Sequence, residues 1–225
     1  MLVLVPEASA HFALTNPPAY SVQASDGSPQ KSAPCGQADP GSPVTPTNAV
    51  TSYHAGDTVT VTIDEKIFHP GHYRVALADD QSKLPADPKV TAGNTACGTA
   101  VIQDPSVAGV IVDNMLPHTQ EFSGPQSFQF TLPAGKTCTN CTLQVIEFMS
   151  DHGLNNPGGC FYHHCAQISV VPAGTPLPDA GPVGSAPDAG VQSPGGAGGC
   201  DVGGSGSALA LALGALGLLV RRRRA

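Results

Sequence analysis

No stretch of this chain before residue 208 sustains the 3.6-residue apolar period of an amphipathic helix. It offers short alternating or β-branched runs instead, with proline and glycine punctuating between them. "DTVTVTID" (57–64) alternates polar and apolar residues. "YRVALA" (73–78), "VAGVIV" (107–112), "SFQFTL" (127–132), "TLQVIEF" (142–148) and "CAQISVV" (165–171) are further runs of this kind. A strand of this length buries one face at period two and needs a second layer to cover it. The pattern predicts an all-β, immunoglobulin/fibronectin III-like β-sandwich over residues 11–172, a stretch long enough for a real core.

Cysteine usage points to an oxidising compartment. Six of the seven cysteines (Cys35, Cys97, Cys138, Cys141, Cys160 and Cys165) fall inside the predicted domain, enough to staple it with three disulfides. Spacing alone leaves their connectivity open; Cys138 and Cys141 either bond each other or pair elsewhere. Cys200 stands apart in a glycine-rich tail.

The flanks agree with export. "MLVLVPEASA" (1–10) reads as a truncated signal peptide, ending in the small-x-small triplet Ala8-Ser9-Ala10 that a signal peptidase cuts after. Residues 173–202 collapse into Pro, Gly, Ala and Ser, with "PDAG" at 178–181 and again at 187–190, and predict a linker. Residues 203–225 hold a short apolar helix, "ALALALGALGLLV" (208–220), and the arginines of 221–224. The apolar run is short for a free-standing span, and the basic cluster suits a cytoplasmic flank. An ordinary anchor helix and a processed sorting segment both fit; either leaves the domain secreted or at the cell surface. Membrane contact is then confined to this segment before processing.

Between His11 and Pro172 there are 6 Lys+Arg against 13 Asp+Glu, a net charge of −7. Such a domain is a poor nucleic-acid binder, and its partner is expected to be neutral rather than polyanionic.

Cleavage after Ala10 makes His11 the first residue. A chain-terminal histidine offers one metal two nitrogens, its α-amine and its ring Nδ1, and a second histidine completes a three-nitrogen set suited to Cu(II). Two histidines stand ready in "IFHPGHYRVALA" (67–78), His69 and His72, in a Pro-Gly turn that feeds a strand. In "GGCFYHHCAQISVV" (158–171), Tyr162 and His164 share one face of the predicted strand and His163 takes the other.

Taken together and in this order, these motifs resemble the lytic polysaccharide monooxygenases. "FYHHCAQISVV" is similar to the ending of the cellulose-active fungal branch. "PCG" (34–36), "CTNCTLQVIEFMSD" (138–151) and the C-terminal segment resemble myxobacterial members and their sorting signal. The resemblance implies one mononuclear copper ion held by His11 and a turn histidine, His69 by its match to the family's H-x-G pattern, with His72 as the alternative. It implies Tyr162 as the axial aromatic, and His152 and Glu147 as groups around the metal. The place of the fungal branch's glutamine is taken by Cys160. The implied activity is oxidative cleavage of glycosidic bonds in an insoluble or polymeric β-linked polysaccharide by a monomer, with an external electron donor and O2 or H2O2. The chain has no tryptophan and four tyrosines, whereas stacked aromatics usually grip such polymers. Two other readings remain: a histidine-brace copper-binding protein without cleavage, and a metal-free surface adhesion domain.

Overall fold

The computed structural model describes residues 11–37, 44–103 and 107–177. The chain divides into a unit Met1–Ser185 and a second unit Ala186–Ala225. The expected leader, most of the linker and the C-terminal apolar helix lie outside the described residues. Among the described residues there are ten strands, one 3-10 turn at Gln81–Lys83 and no α-helix.

The strands are β1 (His11–Asn16), β2 (Val50–His54), β3 (Thr58–Ile67), β4 (Gly71–Ala78), β5 (Val90–Thr91), β6 (Thr99–Ala100), β7 (Val110–His118), β8 (Gln126–Thr131), β9 (Cys138–Met149) and β10 (Phe161–Val171). Three form one sheet in the order β1-β3-β8. Five form the other, β2-β10-β9-β4-β7, and β5-β6 is a small separate pair. All ladders are antiparallel except β10 with β2. Five of the six runs read from the sequence lie on strands to within a residue at each end, and of "VAGVIV" only 110–112 do, residues 107–109 forming the turn before β7. The expected immunoglobulin-like β-sandwich is the fold.

Period-two alternation builds the interior. On β3 the side chains of Val59, Val61 and Ile63 are fully buried while Thr58, Thr60 and Thr62 are not. They share one cluster with Phe12 and Leu14 of β1, Phe128 and Phe130 of β8, and Tyr73, Val75, Leu143, Val145, Tyr162, Ala166 and Ile168 of the larger sheet. The larger sheet is also covered on its outer face. Ile146, Phe148 and Phe161 pack there with the Cys97–Cys160 disulfide, against Val90 and Ala100 of the small β5-β6 pair. Strands buried on both faces lose their polar alternation, which is why β9 and β10 read as nearly continuous apolar runs.

The six domain cysteines pair as Cys35–Cys165, Cys97–Cys160 and Cys138–Cys141. The first bolts the loop before β2 to β10, and the third closes a local turn at the start of β9.

Candidate metal centre

Register decides which histidines meet. β1 runs antiparallel to β3 with its first residue, His11, opposite the last, Ile67. The chain leaving β3 is "FHPGH", so the turn that carries His69 begins beside His11. Gly71 is required at that turn by close approach. A Cβ there would stand 1.8 Å from the carbonyl oxygen of Phe148. The turn is pinned from the other side by Ser150, whose backbone N–H and hydroxyl both donate to the Pro70 carbonyl (2.7 and 2.9 Å).

Two buried side chains fix the backbone next to His11. The Phe12 N–H donates to Gln30 Oε1 (3.1 Å), and His164 Nε2 donates to the Phe12 carbonyl (2.9 Å). Gln30 belongs to a loop that presses on β1 at Gly27, which has φ +88° and where a Cβ would lie 2.1 Å from the Phe12 carbonyl oxygen. The same loop turns Asp26 towards His11, its Oδ2 3.9 Å from Nε2. Asp26 is held below the usual carboxylate range, first by the Ser28 N–H, with the His11 ring contributing. A carboxylate beside Nε2 favours the tautomer with the proton there, which leaves Nδ1 its lone pair.

The other rings gather at the same end. His11 stacks on Tyr162 at 5.2 Å and 28°. His69 and His152 are 4.5 Å apart and tilted by 49°. In each of these two, Nδ1 faces a main-chain carbonyl, that of Phe68 for His69 and of Gly153 for His152. An imidazole nitrogen facing a carbonyl must donate, so the Nε2 of His69 keeps its lone pair in the neutral ring. Burial, then the neighbouring His152 ring, lowers the His69 pKa to about 4; His11 adds to the lowering. The ring is therefore neutral at physiological pH and able to ligate a metal.

His152 is held by the segment that leads into β6. Its carbonyl accepts from the Cys97 N–H (3.0 Å), and the Asp151 N–H donates back to the Cys97 carbonyl (2.7 Å). Cys97 is bonded to Cys160, immediately before β10. Cys160 thus braces the loop bearing His152.

His72 is elsewhere. Tyr73, Glu147 and Tyr162 face one another across β4, β9 and β10, and so do His72, Phe148 and Phe161 in the next row. The first row points into the sandwich and the second out of it. His72 lies on the outer face against Phe148, with Asp113 3.5 Å from its Nε2. Burial lowers its pKa, with Asp113 pulling the other way. The two turn histidines are separated by a whole sheet face.

Glu147 is completely buried in the inward row. Burial, and then Glu65, hold its carboxyl well above the usual range. Sequence reading missed Glu65, His118, Gln30 and Asp26. Glu65 was within reach of it, since it continues the inward parity of Val59, Val61 and Ile63. His118 was not. Asn114 and Leu116 take positive φ (55° and 48°), and β7 slips register against β4, so simple alternation cannot place it.

The chain matches no protein-family model and no curated protein. Two solved structures are similar in fold. One is a lytic polysaccharide monooxygenase AA15 from Thermobia domestica in the Cu(I) state, 18% identical, with a TM-score of 0.47 over 72% of this chain and 99% of that one. The other is a chitin binding domain from Burkholderia pseudomallei, 11% identical, with a TM-score of 0.36 over 72% of this chain and 100% of that one.

Proposed function

We propose that this end of the sandwich is a mononuclear copper site and that the protein is a secreted or surface-held, copper-dependent oxidoreductase of the lytic polysaccharide monooxygenase kind. The observation that carries the reading is the gathering of His11, His69, His152 and Tyr162 at one sandwich end, with His69 kept neutral by burial. His11 would contribute Nδ1 and, after cleavage behind Ala10, its α-amine; His69 would contribute Nε2. Three nitrogens, one of them an amine, suit copper better than a hard cation. Bound there, copper supplies one-electron chemistry towards O2 or H2O2.

The chain's own groups supply the rest. The Tyr162 ring, fully buried, stacks on His11 and would hold that imidazole in place from the interior. His152 stands beside His69, its ring 4.5 Å away, and would act as a neighbour of the metal rather than as a ligand. Glu147, in the row of Tyr162, is buried too deeply to reach a polymer and acts only through its neighbours. The substrate proposed is a neutral, β-linked polysaccharide chain, with an external donor for electrons.

The reading is tested on protein whose N-terminus is shown to be His11. One copper per chain with a three-nitrogen EPR signature, and release of oxidised oligosaccharides from chitin or cellulose driven by ascorbate and peroxide, are expected. Copper binding without product would favour the alternative, an extracellular copper-binding protein. One observation speaks for that alternative: the exposed large hydrophobics among the described residues, such as Ile67 and Leu154, are all aliphatic, and no aromatic ring stands out to stack on a sugar.

A further inference from the structure

Adjoining the His69 turn, but in the interior between the sheets, Glu65, His118 and Glu147 each bring one ligand atom within 4.8 Å of the other two. Glu65 accepts from the His69 N–H (3.4 Å) and comes from β3, while His118 ends β7 and Glu147 lies on β9. The side chains of Glu65 and His118 are 1% and 5% exposed, and Glu147 is 0% exposed.

The hydrogen bonding around this point does not close. His118 Nδ1 lies 2.9 Å from the Leu116 carbonyl and must donate to it, which turns Nε2 towards Glu65 Oε1 at 3.0 Å. Neither oxygen of Glu147 has a hydrogen-bond partner among the described residues, nor do Glu65 Oε2 and the Tyr73 hydroxyl. Tyr73 lies beside Glu147 and acts on its carboxyl through charge and as a weak hydrogen-bonding neighbour, although its hydroxyl is outside close bonding geometry with either oxygen. His118 is satisfied at both nitrogens, but three buried carboxylate oxygens beside it, both of Glu147 and Oε2 of Glu65, are outside close bonding geometry, which is costly unless something central satisfies them.

We propose that this cluster is a second metal site, separate from the group of His11, His69 and His152, which takes a divalent cation of the zinc type through the Glu65 and Glu147 carboxylates and His118 Nε2. The donor set favours that class. Calcium takes six to eight oxygens, and none of the three groups is a thiolate for a soft ion, whereas mixed imidazole and carboxylate ligands suit zinc. The ring is already oriented. Nδ1 is fixed by Leu116, and His118 stacks on Tyr73 at 6.2 Å and packs against Phe122 at 4.2 Å. A ligating histidine held through its other nitrogen is the usual arrangement. His118 also lines a cavity of about 450 Å³, together with His72, Thr119 and Ser150. The cation would tie β3 of the smaller sheet to β7 and β9 of the larger one.

The inference does not rest on the proposed copper chemistry, and its test keeps the two apart. The full chain, secreted and processed, is loaded with zinc, desalted and analysed for metal, alongside the variants His69→Ala, Glu147→Gln and His118→Gln. His69→Ala should retain about one equivalent of zinc, and Glu147→Gln and His118→Gln at least tenfold less at the interior site. Zinc should also raise the unfolding temperature of the wild type and of His69→Ala. The inference is overturned if the stripped wild type neither retains zinc nor shifts in unfolding temperature, which would leave the cluster to a shared proton or a water. It is equally overturned if His69→Ala loses all zinc while Glu147→Gln keeps it. If both cluster variants fail to fold, retention by His69→Ala with its temperature shift decides in favour and the lack of both decides against.

Discussion

His69 and His72 differ by three positions and by an entire sheet face. Pro70 biases His69 to extended backbone just before the turn, and Gly71 lets the turn close on the Phe148 carbonyl. From Gly71 onward β4 alternates, so His72 is committed outward as surely as Tyr73 is inward. This yields a clear expectation for Cu(II) titrations followed by EPR. His69→Ala should weaken copper binding at least ~100-fold and change the three-nitrogen spectrum. His72→Ala should leave affinity within about threefold, because its partner is Asp113 and not the proposed copper site. The reverse pattern would move the third nitrogen to the outer face. A second residue-level expectation concerns His164, whose pKa burial lowers to about 4, although its bond to the Phe12 carbonyl and the nearby His163 and His11 rings also act on it. The native state takes up this proton less readily than the unfolded chain, whose histidine titrates near 6.5. Between those values the unfolded state binds more protons, so stability is full above the upper one and declines as pH falls towards the lower. The loss attributable to this ring is at most about 3 kcal/mol. Unfolding of metal-free protein across that pH range should show the decline, and His164→Gln, which keeps a donor and cannot titrate, should flatten it. An unchanged slope would assign the acid sensitivity to other groups.

At the scale of elements, the disulfides divide the work of holding the site. Cys35–Cys165 spans 130 residues, Cys97–Cys160 spans 63 and Cys138–Cys141 only 3. On loop-closure entropy alone the first two are each worth about 4–5 kcal/mol and the last under ~2 kcal/mol. Paired serine substitutions should therefore lower the unfolding temperature in that order. Removing Cys97–Cys160 should do something more specific, because the Cys97 backbone carries the His152 loop. Copper affinity should fall less than about tenfold, since His11 and His69 are held by Gln30, His164 and Ser150 instead, while activity should fall with the displaced His152. An affinity loss as large as that of His69→Ala would mean that the tether positions the ligands themselves. Much of this element-level structure was legible in the chain. Five of the six runs are strands and the sixth is one in its second half, the six domain cysteines are paired, and the split of Tyr162 and His164 from His163 follows from strand parity. β1 was hidden because "HFALTN" is too short to show a period. The loop partners Gln30 and Asp26 were hidden because they act across eighteen and fifteen positions through turns that no local pattern encodes. His118 was hidden by two left-handed residues that break the alternation before it.

The whole domain carries its charge as a surplus of acids, 13 against 6 bases over residues 11–172. Some of that surplus is spent internally. Asp79 and Asp64 pair with lysines, Asp87 lies 3.0 Å from His163, and Asp113 faces His72. What remains sets a negative field that extends about 8–10 Å at physiological salt and further when salt is low. A polyanion approaching the group of His11, His69 and His152 meets that field before it meets any side chain, whereas a neutral polymer does not feel it. With only aliphatic residues among the exposed large hydrophobics of the described residues, adhesion to a neutral glycan would come from van der Waals contact and hydrogen bonds at short range. Binding to insoluble chitin or cellulose should therefore be nearly independent of salt. Binding to sulfated or carboxylated glycans should be weakest in dilute buffer and should improve as salt screens the repulsion. Pull-down isotherms at low and high ionic strength measure both trends. Tight binding of a polyanionic glycan in dilute buffer, lost on adding salt, would locate a basic surface that the sequence does not contain and would end the neutral-substrate reading.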